Sequence, residues 1–178
     1  MGHFAVSAVG ADQPGIVAAV TGVLVGTGCN IEDSSMSILR GHFAMMLVVA
    51  GPDDLDAARL EQALGDPARD LDLVLAVRAI DDDVPTSPEG DQWTVSVYGA
   101  DRPGIVHEVT KLLAEAGVNV TDVTTRVIGD ADRPVYAMLL DATLPPTIAG
   151  SEVGRRLDEL GRTLGVECAM HPSEADIL

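Results

Sequence analysis

Aromatic residues make up only 3% of the 178-residue chain, namely one Trp, two Tyr and two Phe, so its cores have to be built from Val, Leu, Ile, Ala and Met. Basic residues are also scarce. Eleven Lys and Arg face 28 Asp and Glu, for a formal net charge of -17. A phosphate backbone needs positive charge to displace its counterions, so direct nucleic-acid contact is not expected and any part in gene control would pass through another protein. Cys29 and Cys168 are the only cysteines, too few for a disulfide framework, and they read as reduced thiols of a cytoplasmic protein. No apolar run approaches membrane-spanning length, and the N-terminus lacks a basic stretch followed by an apolar core and cleavage site. The four histidines, His3, His42, His107 and His171, show no metal-ligand spacing such as H-E-x-x-H, and no nucleophile is paired with a base. G-x-G-x-x-G is absent as well. These absences predict a soluble, non-enzymatic chain with no metal, cofactor or membrane partner.

What the chain does have is one octapeptide twice. Gly10-Ala11-Asp12-Gln13-Pro14-Gly15-Ile16-Val17 returns as Gly99-Ala100-Asp101-Arg102-Pro103-Gly104-Ile105-Val106. Each copy follows an alternating apolar run and precedes a stretch of helical period, which makes it a strand-to-helix turn. Pro14 and Pro103 are expected at the first helical position, where a missing N–H costs nothing. Gly15 and Gly104 carry no side chain to cover the free amides, so an anion can approach the positive end of the helix dipole. Asp12 and Asp101 can cap the helix or accept from an ammonium group. A free amino acid would suit this pair of groups. A tight turn with a capping Asp would use the same residues.

Between Phe4 and Asp33 about half the positions match their partners 89 residues on, including Thr21/Thr110, Asn30/Asn119 and Asp33/Asp122. Helical spacing explains matched apolar residues but not matched polar ones. The threonines can bond their own helix. The asparagines fit either a turn or a ligand, and the aspartates either a ligand or solvent.

In order, the first half reads as a strand, a helix closed by Gly28, a polar strand over 30–39, an apolar strand over 42–50, a helix opening at Gly51-Pro52-Asp53-Asp54 and closing at Gly65-Asp66-Pro67, and a strand over 71–80. Residues 81–91 are acidic, hold two prolines and read as a linker. From Trp93 the order repeats, with an edge strand over 121–128, a loop over 129–134, a strand over 135–144, a helix carrying Val153, Leu157, Leu160 and Leu164, a strand over 166–170 and a frayed tail over 172–178. The expected architecture is α+β: two tandem ferredoxin-like βαββαβ domains, residues 1–80 and 92–178. Each would be an antiparallel four-stranded sheet with two helices on one face. Right-handed crossovers put the polar second strand at a sheet edge, where it needs a partner.

Strand, Gly-x-Asp-x-Pro-Gly-Ile-Val, helix, glycine and Asn-Ile/Val is a pattern that resembles ACT domains. Gly28-Cys29-Asn30-Ile31-Glu32-Asp33-Ser34 makes the first half similar to the glycine cleavage system transcriptional repressor family. The resemblance implies amino-acid binding where two copies meet. The ligand residues would be Asp12, Pro14, Gly15, Ile16, Asn30 and Asp33 with their counterparts Asp101, Pro103, Gly104, Ile105, Asn119 and Asp122. The Asp12 mouth would use Asn119, and the Asp101 mouth Asn30. It also implies a regulator that senses glycine or another small amino acid, acts through a transcription factor or metabolic enzyme, and forms a homodimer. A ligand-free pairing module and a detached regulatory subunit remain alternatives. Arg102 and His107 replace Gln13 and Ala18, so the two sites need not share a ligand.

Overall fold

The computed structural model describes residues 1–81, 89–129 and 134–173. Most of the expected linker, the tip of the 129–134 loop and the end of the tail lie outside the described residues. The chain divides into two compact units, residues 1–84 and 85–178.

The first unit runs β1 (Gly2–Ala11), α1 (Ile16–Gly26), β2 (Asn30–Leu39), β3 (His42–Gly51), α2 (Ala57–Asp70) and β4 (Val74–Ile80). Its sheet has the order β2-β3-β1-β4 with every pair antiparallel, so the polar second strand does lie at an edge. Alternation decides which face is covered. Phe4, Val6 and Ala8 of β1 and Phe43, Met45, Leu47 and Val49 of β3 point to the helices, where Ile16, Val20, Leu24, Leu60 and Leu64 meet them. Truncating the fully buried Leu60 or Leu64 to Ala would cost about 2–5 kcal/mol. The strand order carries α1 across β3 and α2 across β1, so α1 is the helix beside the β2 edge.

The second unit repeats this with β5 (Asp91–Gly99), α3 (Ile105–Glu115), β6 (Asn119–Ile128), β7 (Val135–Leu144), α4 (Gly150–Leu164) and β8 (Val166–Pro172), in the sheet order β6-β7-β5-β8. Val95, Val97, Met138, Leu140 and Ala142 pack under Ile105, Val109, Leu113, Val153 and Leu157. Gly165 at φ 70° closes α4, as expected of a C-terminal glycine. No helix among the described residues is long and apolar enough to cross a membrane.

Several boundaries differ from expectation. The second helix does not open at Pro52 or close at Gly65-Asp66-Pro67. It starts at Ala57, with the Asp56 carboxylate accepting from the Arg59 amide at 2.8 Å, and continues through Pro67 to Asp70. Leu60, Leu64 and Ala68 form one buried stripe along it, and keeping that stripe on the sheet outweighs the bond that Pro67 removes. The strand that follows is correspondingly shorter, beginning at Val74. β5 takes in Asp91, β6 starts at Asn119 instead of Thr121, and β8 extends to Pro172 instead of Met170. Val17, although apolar, is 42% exposed.

Candidate functional site

Each octapeptide ends its strand, turns and opens its helix, but not in the expected way. Pro14 and Pro103 lie two residues before the first helical residue, and the N-caps are Gly15 and Gly104, with φ of 99° and 97°. Left-handed backbone of this kind favours glycine. Neither Asp12 nor Asp101 caps the helix, because no side chain bonds either helix start. The first helical bonds run from Ala19 N to Gly15 O and from Glu108 N to Gly104 O, each 2.9 Å. The amides of Ile16, Val17 and Ala18, and of Ile105, Val106 and His107, therefore have no acceptor within their helices. A Cβ built on Gly15 or Gly104 would meet nothing within 4 Å. The space above both helix tips is open, and packing does not demand a glycine there. Asp12, Pro14 and Gly15 are exposed, as are Asp101, Pro103 and Gly104, whereas Ile16 and Ile105 are 2% exposed and belong to the cores.

The loops are tied down from one side. Gln13 Nε2 donates to Leu71 O at 2.8 Å, just past the end of α2. Arg102 lies beside Gly165, at the end of α4, where a guanidinium complements the negative end of the helix dipole. The two residues thus lie beside equivalent helix ends, Gln13 through a hydrogen bond and Arg102 through proximity. Thr21 and Thr110 bond their own helices, to Val17 O and Val106 O at 2.8 Å.

Asn30 and Asp33 are not beside the mouth of their own unit. Asn30 pairs with Ala50, which pairs with His3, and Asp33 pairs with Val48, which pairs with Ala5. The mouth follows Ala11, roughly 25 Å away along β1 at about 3.3 Å per residue. Asn119 and Asp122 take the same positions against Thr143 and Asp141, which face Gln92 and Thr94 at the start of β5. No single unit brings its loop and its asparagine together.

A feature that periodicity does not reveal lies between these residues. Both edge strands carry a β-bulge at the same place, between Ile31 and Asp33 and between Val120 and Asp122, leaving Glu32 and Thr121 as the extra residues. His3 Nε2 is 3.3 Å from the Glu32 carboxylate. Asp33 Oδ1 accepts from the Ser34 amide at 2.7 Å, and Thr124 donates to Asp122 Oδ2 at 3.4 Å.

A buried tyrosine stands opposite the head of the second octapeptide. Tyr136 is 8% exposed, pairs with Gly99 at the head of the octapeptide and packs in the core with Ile105. Its hydroxyl donates to Met138 Sδ at 3.7 Å. Burial, reinforced by the Asp101 carboxylate, pushes its ionisation above the usual phenol range. The first unit has Phe43 at this register, opposite Gly10.

Comparison with known proteins agrees with this architecture. Models of the ACT domain match residues 3–78 and residues 93–149. The glycine cleavage system transcriptional repressor of Escherichia coli is 28% identical over 124 residues, which span 70% of this chain and 64% of that protein. A phosphoserine phosphatase of Mycobacterium tuberculosis is 27% identical over 149 residues, covering 82% of this chain but 35% of the enzyme. The crystal structure of an unknown protein from Galdieria sulphuraria superposes with a TM-score of 0.82 at 27% identity, over 97% of this chain and 99% of that one. The chain thus belongs to the ACT-domain family, as two ACT domains in tandem with homology to a glycine cleavage system transcriptional repressor.

Proposed function

We propose that the protein is a non-enzymatic sensor of a small amino acid, glycine or one of similar size, which regulates amino-acid metabolism by binding a protein partner. The observation that carries this reading is the pair of open helix tips. Each presents amides without helical acceptors to a space that no side chain fills, next to an exposed Asp whose carboxylate makes no hydrogen bond among the described residues. The amides would take the carboxylate and the Asp the ammonium group.

A second ACT unit would complete the site. Where two second strands lie antiparallel, edge to edge, the start of each meets the end of the other. That end adjoins the mouth, because the Asp12 amide donates to Gly41 O at 2.8 Å in the turn after β2. Asn30 or Asn119 of the neighbour would then reach the tip that its own unit cannot, with Asp33 or Asp122 beside it. A homodimer supplies such neighbours. The acidic charge directs the output to a protein, a transcription factor or a metabolic enzyme, and not to DNA.

Calorimetry against the twenty amino acids tests the reading. Saturable binding of a small amino acid, weakened at least tenfold by Asp12→Ala together with Asp101→Ala, is expected. No binding by any amino acid would leave a ligand-free pairing module. The partial match to a phosphatase favours one further reading, a regulatory subunit docked on an amino-acid enzyme, which co-purification of such an enzyme would reveal.

A further inference from the structure

We propose that the helix-free face of the first sheet docks on the same face of a second copy of the chain, sheet against sheet, about a two-fold axis parallel to the strands. This contact is separate from the β2 edge and needs no ligand, so it goes beyond the sensor reading and does not rest on it. Edge pairing makes one association step, and face packing adds another.

The residues of β1 and β3 that alternate with the core point away from the helices. In the two central strands they form three uncharged cross-strand pairs, Val9 with Ala44, Ser7 with Met46 and Ala5 with Val48. Val9 and Met46 are 49% and 56% exposed. A chain of net charge -17 repels its own copies wherever charge meets charge, and this face is free of that penalty at its centre. Each pair also sets a large side chain beside a small one. A two-fold axis parallel to the strands, between β1 and β3, lays β3 of one copy over β1 of the other. Met46 then meets the partner's Ser7, Val48 the partner's Ala5 and Val9 the partner's Ala44, so that large falls on small three times and the layers interdigitate at the usual spacing of about 10 Å.

The charges at the rim obey the same axis. Asp33 and Arg78 end one row across the sheet, Asp33 opposite Val48 and Arg78 opposite Ala5. Three strand spacings, about 14 Å, keep them apart within one copy. The rotation brings Asp33 over the partner's Arg78 and Arg78 over the partner's Asp33, which closes both ends of the row with opposite charges in an isologous contact. A four-stranded face about 19 Å wide and 25–30 Å long buries on the order of 1,000 Å² over two copies, near the lower limit for a stable interface. The second sheet lacks the uncharged centre. Asp141 holds the place of Val48 there, opposite Thr94, whose hydroxyl donates to it at 3.0 Å, and face packing would strip that carboxylate of water.

Sedimentation equilibrium of the full chain without amino acid, over about 1–300 μM, tests the contact. The parent is expected to show an association step beyond edge pairing. Met46→Lys and Val9→Lys, both at exposed positions, should raise the dissociation constant of that step at least tenfold with the melting temperature nearly unchanged. Arg78→Asp should weaken it too, by setting a like charge against the partner's Asp33, and adding Asp33→Arg should bring it back. A parent with no step beyond edge pairing, or a step that the lysines leave unchanged, would overturn the proposal, whatever else covers the face. Weakening by Arg78→Asp that Asp33→Arg does not reverse would overturn the two-fold arrangement. None of these results touches the sensor reading, which stands or falls on amino-acid binding.

Discussion

At the scale of single residues, the two tip glycines combine conformation with access, and the two can be separated. Gly15→Ala forces a Cβ onto φ 99°, costing about 1–2 kcal/mol, without touching any neighbour. Asp12→Asn changes neither backbone nor packing, since the carboxylate is exposed and makes no hydrogen bond among the described residues. Urea denaturation is therefore expected to register the glycine substitution and not the aspartate one, whereas calorimetry registers both as weaker binding. Tyr136 gives a pH prediction. Its ionisation is raised in the folded state, so the folded chain holds the phenol proton more tightly than the unfolded one. The resulting stability is fully present below the ordinary phenol range and is lost as pH rises through the folded value. Denaturation followed upward from pH 9 should show this loss, and Tyr136→Phe should reduce it. The role of Gly15 was only half legible in the sequence. The octapeptide marked a helix tip, but proline at the first helical position is so common a pattern that it masked the left-handed glycine that starts the helix. Tyr136 was not legible at all, because a strand tyrosine shows its relation to a loop only through register.

At the scale of elements, order and topology could be read directly, because alternation in β1 and β3 and the four-residue recurrence of Leu60 and Leu64 each have one physical solution. Interruptions were harder to place. Pro67 reads as a helix stop until the buried stripe on both sides of it is seen, and the bulges at Glu32 and Thr121 leave no mark on composition. Removing the Asp56 cap by Asp56→Ala should cost about 1 kcal/mol, and Pro67→Ala should gain on the order of 1–3 kcal/mol, both read from thermal unfolding. The most consequential element is the α1 and β2 pair. All eleven residues of α1 are uncharged, with Val17 and Val25 at 42% and 77% exposure, and all ten residues of β2 are exposed, among them Met36 and Ile38. In α3 the ion pair between Glu115 and Arg156 marks the flank that faces α4. The corresponding position in α1 is Gly26, so Val17 and Thr21 lie on the other flank, toward the strand edge. An uncharged helix flank beside an unpaired strand is a liability in isolation and an asset in a paired sheet.

At the scale of the whole molecule, a charge of -17 opposes every close approach of two copies, and the repulsion is weakest where a surface carries no charge. That places the proposed contact along α1 and the uncharged 34–39 stretch of β2, on the edge that would bring an asparagine to a neighbour's helix tip. If the ligand lies between two units, binding and association are linked: a ligand that favours the pair must tighten it, and the pair must tighten the ligand. Sedimentation is expected to show a dimer whose dissociation constant falls about tenfold or more when a bound amino acid is saturating, and falls also with added salt. Met36→Lys, which puts a long charged side chain in the middle of the edge without entering the core, should weaken association and amino-acid affinity by similar factors. A variant that became monomeric yet bound its amino acid as tightly as the parent would show that each mouth is complete within its own unit, and the argument from the 25 Å separation of loop and asparagine would fall.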